Sequence, residues 1–211
     1  YQDWGNSLHS QVGVTCDDCH GGDASTTGME QAHVGVFPVN DPRSLLHFTR
    51  QPETCGSCHQ DKQTQFEESK HFGALIMQAG SAPTCTTCHP AMNKRPSYQN
   101  IVLNACRSCH APGNRQGLPA VVEEAETLLR HVNMAEGMLG WTSLHYAAQQ
   151  WPGDSRKRVI SLEEHYQDIV SRIHRFDLAA SEQATINLLD ELRAIFDAEK
   201  RAKQGGTGKA P

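Results

Sequence analysis

Apolar residues recur at helical spacing through the last third of the chain. Val121, Val122, Ala125, Leu128, Leu129, Val132 and Leu139 follow Pro119 and predict a helix that Gly140 ends. A short second helix over about 142–151 turns Leu144, Ala148 and Trp151 to one side and stops at Pro152. Ser161 and Glu164 read as a capping box for a third helix, with the stripe Leu162, Tyr166, Ile169, Val170, Ile173 and Phe176. Ser181 is placed to cap a fourth, whose face is Leu188, Leu189, Leu192, Ile195 and Phe196. Four amphipathic helices with short connections predict antiparallel packing.

Residues 1 to 117 show neither a helical stripe nor sustained alternation. Gly21-Gly22, Asn40-Asp41-Pro42, Gln51-Pro52 and Ala82-Pro83 punctuate them, which predicts loops and short helical turns. The expected organisation is therefore 1–117 as one region, 118–203 as a helical bundle and 204–211 as a flexible tail. The fold class is mainly α with much irregular loop, and no long strands are expected.

Composition sharpens this division. Hydrophobic residues make up 37% of the chain and mean hydropathy is −0.56, thin for a self-sufficient core in 211 residues. All eight cysteines lie in four copies of Cys-x-x-Cys-His: Cys16, Cys19 and His20; Cys55, Cys58 and His59; Cys85, Cys88 and His89; Cys106, Cys109 and His110. This is the c-type haem attachment spacing. It predicts four covalently bound haem c groups, with the thiols as attachment points and the four histidines as proximal iron ligands. Zinc sites need further ligands from a second cluster and no histidine at the next position. A disulfide framework would not confine every cysteine to such pairs. Four porphyrin plates would supply the missing apolar core and couple folding to haem binding.

The formal charge is −5, and haem propionates take it towards about −9. Redox protein partners with basic docking patches follow, and nucleic acid does not. No run of 18 apolar residues is present, so no membrane span is expected. Covalent haem attachment is an exported chemistry. The chain reads as a mature protein, its signal removed, of the periplasm or the cell exterior.

Twelve histidines less four leaves eight for the distal iron positions: His9, His33, His47, His71, His131, His145, His165 and His174. His9 and His71 belong to an internal repeat, aromatic-x-x-Ser-x-His, as Trp4-Gly-Asn-Ser7-Leu-His9 and Phe66-Glu-Glu-Ser69-Lys-His71. His33 and His47 sit in apolar settings between the first two motifs. These four are the candidate distal ligands. His165 is placed on the apolar face of the third helix, and His131 and His145 are placed to reach a haem from the bundle. Met29, Met77, Met92, Met134 and Met138 are alternative ligands, which would raise the potential where bis-histidine keeps it low. Lys62, Lys70, Lys94, Arg95, Arg107 and Arg115 are candidates to pair with propionates. Only 17 residues separate Cys88 from Cys106, so the third and fourth haems are expected to be neighbours.

Cys55 to His89, with its embedded Ser69-Lys-His71, resembles the multihaem cytochromes that include hydroxylamine oxidoreductase, pentahaem nitrite reductase and the tetrahaem carrier of ammonia oxidisers. Trp4 to Gly22 is similar to the second half of the same unit. The resemblance implies a multihaem cytochrome c fold, with a haem-packed N-terminal region and C-terminal helices. It also implies that His9 and His71 are distal ligands. No Cys-x-x-Cys-Lys variant is present, which turns the reading from nitrite reduction towards conduction. The expected function is electron transfer along four haems, without enzymatic activity. The alternatives are a protomer of a self-associating haem filament, and an enzyme acting on a small nitrogen or sulfur oxide at a five-coordinate haem.

Overall fold

The described residues are mainly helical, and no strand occurs among them. The computed structural model describes residues 2–77, 82–89, 101–114 and 118–205. The tail expected at 204–211 lies outside them from residue 206 on, as do Met92, Lys94, Arg95 and Arg115. Backbone packing divides the chain into two units. One holds residues 1–122 together with His174–Phe176, and the other holds 123–173 and 177 onward.

The second unit is built from three helices: α10 (Pro119–Ala148, entering from the first unit), α11 (Ser155–Arg172) and α12 (Leu178–Gly205). The two helices expected on either side of Gly140 are one. Leu139, Thr142 and Tyr146 continue the buried stripe across that position. A shared core outweighs the roughly 1 kcal/mol that an interior glycine costs a helix. The helix ends instead where Gln150 and Trp151 take φ of 58° and 56°, and the Trp151 N–H donates to the Tyr146 carbonyl at 2.9 Å. Pro152 then forbids continuation.

Two predicted caps also move. The third helix starts at Ser155, six residues before Ser161, because Val159, 2% exposed, adds a buried turn to the stripe. Asp177, not Ser181, begins the fourth: its carboxylate accepts the Ala180 N–H at 3.2 Å. Ser181 is buried inside the first turn. Apolar burial decides the start of the third helix, and an earlier side-chain cap decides that of the fourth.

One core cluster spans all three helices, from Leu128, Val132 and Leu139 through Leu162, Tyr166 and Ile169 to Leu188, Leu192 and Ile195. Histidine–glutamate pairs fix the register. His131 Nδ1 lies 2.6 Å from Glu182 and His145 Nε2 3.1 Å from Glu199, so α10 and α12 run parallel. The helix α11, joined to α12 by residues 173–177, runs antiparallel to both. His165 is exposed, not on the core face, and sits 3.9 Å from Glu191. His131, His145 and His165 are thus engaged with carboxylates of α12.

The first unit is different in kind. Its helices are short: α1 (Gln2–Gly5), α2 (Leu8–Gln11), α3 (Cys16–His20), α4 (Met29–Ala32), α5 (Gln51–Gly56), α6 (Gln60–Glu67), α7 (Lys70–Met77), α8 (Cys85–Cys88) and α9 (Arg107–His110), with a wide π-type turn over Ile101–Cys106. Among its described residues the buried apolar side chains are Pro52, Phe66, Leu75, Val102, Ala105 and Val122. Leu8, Val12, Met29, Val34, Val39, Ile76 and Met77 are each more than 60% exposed. The described part of this unit therefore has little apolar interior of its own.

Candidate metal centres

The aromatic-x-x-Ser-x-His repeat is a helix-capping device. In both copies the serine amide donates to the aromatic residue's carbonyl, Ser7 to Trp4 at 2.8 Å and Ser69 to Phe66 at 2.9 Å. Each hydroxyl then accepts an N–H three residues on, from Ser10 at 3.2 Å and from Phe72 at 3.0 Å. The histidine therefore falls at the second position of a short helix, where the fixed cap sets its direction. Both serines are buried.

Two of the Cys-x-x-Cys segments are capped as well. Thr15 and Thr84 start α3 and α8, the Thr15 amide donating to Asp18 Oδ2 at 2.7 Å and the Thr84 amide to Thr87 Oγ1 at 2.9 Å. Helical spacing of three residues then puts both thiols of a motif on one side of the turn. All eight cysteines are free thiols.

Three motif histidines each face a second histidine. The ring centres of His59 and His9 are 6.1 Å apart, those of His110 and His71 6.0 Å, and those of His89 and His174 6.3 Å. Their planes cross at 84°, 72° and 5° respectively. A metal–imidazole bond of about 2.0–2.1 Å, plus roughly 1.1 Å from nitrogen to ring centre on each side, separates ring centres by roughly 6.3 Å. Each pair therefore has room for one metal ion between its rings. No group of three or more His, Cys, Asp or Glu able to hold a metal is present among the described residues. An ion held by such a pair finds no third donor of these types among the described residues; a porphyrin would supply four in a plane. The exposed apolar side chains of this unit suit the same ligand.

The fourth member of the set, His20, is exposed and has no such pair among the described residues. His33 is the nearest candidate by backbone. The Asp23 N–H donates to the Ala32 carbonyl at 3.0 Å. Gly22, at φ +98°, would place a Cβ 2.4 Å from that same oxygen. The loop leaving His20 is thus clamped to the residue before His33. His33 Nδ1 meets the Met29 carbonyl at 2.7 Å, leaving Nε2 as the free nitrogen. A ligating imidazole is held in just this way. His47 is buried, with Nδ1 2.8 Å from Thr49 Oγ1 and its ring 4.3 Å from Phe48. It is not brought beside a motif histidine.

His174 is one of the eight spare histidines but not one of the four preferred distal ligands. Its surroundings, Ile173-His-Arg-Phe176, read as the continuation of a helical stripe. The corner leaves α11, returns to the first unit and is tied there by an ion pair between Arg175 and Glu68. Nothing in local spacing marks that return.

The motifs adjoin one another in chain order. Gln51 Oε1 accepts from the Thr86 N–H and hydroxyl at 3.2 and 2.9 Å, tying α5 to α8. Cys55 and Cys85 share a hydrogen bond that raises the pKa of Cys55 and lowers that of Cys85. Burial first, then neighbouring Cys106, pushes the Cys88 thiol up to about 11. Burial also raises Cys19, with Cys55 adding to it. Burial lowers the pKa of His71, with His110 beside it adding to the shift, and so favours the neutral ring that can bind a metal.

No protein-family model, no curated protein and no solved structure matches this chain. No helix among the described residues is long and apolar enough to cross a membrane.

Proposed function

We propose that the chain is a tetrahaem c-type cytochrome of the multihaem superfamily, an electron-transfer protein of the periplasm or cell exterior. The observation that carries this reading is the triple recurrence of a motif histidine opposed by a second histidine at bis-imidazole spacing. Haem bound at these motifs supplies one-electron iron chemistry. The chain's part is to fix each group by two thiols, to hold paired neutral imidazoles on it, and to keep the four motifs adjacent. The pairs are His59 with His9, His110 with His71, and His89 with His174. We assign His33 to the His20 site, on the backbone clamp between Asp23 and Ala32.

Charge supports a partner with a basic patch. Residues 1–42 hold six acidic residues and no lysine or arginine, and Asp17 and Asp18 stand inside the first motif. Residues 69–122 hold five lysines and arginines and no acidic residue. A cationic partner is steered to the first motif rather than the fourth.

A second reading attaches to the first motif alone. His20, exposed and unpaired by any ring among the described residues, would leave an open iron for a small oxide or for a histidine of another copy. One experiment separates the readings. The chain is produced with a c-type maturation system and its haem content, mass, ferric spectrum and carbon monoxide binding are measured. Four covalent haems, all low-spin and inert to carbon monoxide, are expected. Carbon monoxide at one haem favours the second reading. Stoichiometric zinc without haem overturns both.

A further inference from the structure

We infer that Phe176 is a positioning residue that sets the crossed orientation of the His71–His110 pair. This rests on the tetrahaem reading and deepens it. Phe176 has φ +60°, in the left-handed region that a bulky side chain adopts only when its surroundings compel it. Those surroundings are specific. Arg175 pairs with Glu68, and Asp177 immediately caps the next helix. The backbone between these anchors has to turn sharply, and the turn delivers the Phe176 ring to His71. Their centres are 4.2 Å apart with planes at 67°. Phe66 lies 6.3 Å from Phe176 and 5.7 Å from Phe72, so the contact sits within an aromatic group.

The contact matters because His71 lacks the usual alternative. A ligating imidazole is ordinarily oriented by a hydrogen bond from its second nitrogen. His71 Nδ1 is buried and has no hydrogen-bond partner. Packing is left to fix its rotation, and Phe176 is the ring packed closest to it among the aromatic contacts described. The angle so fixed has an electronic consequence. Crossed imidazole planes leave the iron d-orbitals that overlap them nearly equal in energy, whereas parallel planes split them. The two arrangements give different low-spin resonance signals and tune the potential. The same corner offers a built-in reference, since His174, two residues earlier, stands 5° from parallel with His89.

The test is low-temperature electron paramagnetic resonance and redox titration of the holoprotein. The wild type should show highly anisotropic signals from the crossed pairs and a rhombic one from the parallel pair. Phe176→Gly suits the backbone at this φ while removing the ring, and Phe176→Ala removes the ring alone. Both should retain four haems, lose or shift one of the two crossed-pair signals, move one potential and leave the rhombic signal in place. Phe176→Tyr should restore the wild-type spectrum. Four haems with unchanged signals and potentials in Phe176→Gly overturn the inference. A wild-type protein without haem overturns the functional reading itself, which is a different result.

Discussion

His89 and His174 stand with ring centres 6.3 Å apart and planes 5° from parallel, although 84 residues separate them in the chain. One follows a cysteine pair in the first unit. The other lies on a corner that leaves the helical bundle and belongs to the first unit by its contacts.

Removing the corner ligand should open one iron. His174→Ala is expected to keep four haems while one of them becomes high-spin and binds carbon monoxide in the reduced state. The ferric optical spectrum and a carbon monoxide titration measure this. An unchanged, fully low-spin spectrum contradicts the assignment of His174.

The serine caps should carry stability as well as direction. Ser69→Ala removes the acceptor for the Phe72 N–H and is expected to cost about 1 kcal/mol. Ser69→Thr, which keeps a hydroxyl, should recover most of it. Denaturant midpoints followed at the Soret band report both. Equal losses in the two variants would show that the hydroxyl is not the source.

Two glycines should respond in opposite senses. Gly22→Ala forces a Cβ to 2.4 Å from the Ala32 carbonyl at a positive φ, and is expected to destabilise by roughly 1–3 kcal/mol and to disturb the first motif. A Cβ at Gly140 meets nothing within 4 Å inside a helix, so Gly140→Ala should stabilise by about 1 kcal/mol. Thermal unfolding of the two variants checks the pair. A stabilised Gly22→Ala would remove the clamp that supports His33 as a ligand.

Acid should act in two windows. The folded pKa of His71 lies below its ordinary 6.5, so only the unfolded chain takes up that proton as the pH falls through 6.5. Unfolding is then favoured and stability declines from there down. Asp41, held at about 2 by hydrogen bonds from Arg43, is shifted in the same direction for a different reason: its charged form is favoured in the fold. Its stabilisation is complete above 3.8 and is lost as the pH falls through about 2. Thermal unfolding against pH should therefore decline first below about 6.5 and again below about 3.8. A profile flat between those two values contradicts the burial of His71.

The placement of paired thiols and motif histidines was legible because it is local. Four Cys-x-x-Cys-His spacings need only one helical turn to bring two thiols to one side, and Thr15 and Thr84 provide that turn within a few residues. The Ser-x-His repeat was legible for the same reason, since a cap acts over three residues. Helix boundaries were less so. Gly140, Ser161 and Ser181 carry sound local signals, yet the continuous burial of Leu139, Thr142 and Tyr146, the extra turn at Val159 and the Asp177 cap outweigh them.

The sequence by itself determined where thiols and motif histidines occur, that the last third is helical, and that the first part is short of apolar core. Only the tertiary structure decided which histidines meet. Pairing His9 with His59, His71 with His110 and His89 with His174 depends on chain segments that no spacing rule relates. His174 depends further on a corner strained at Phe176 and anchored by Arg175 and Glu68. Local propensity sets the turn that carries a histidine, whereas the distance between two histidines is set by everything packed between them.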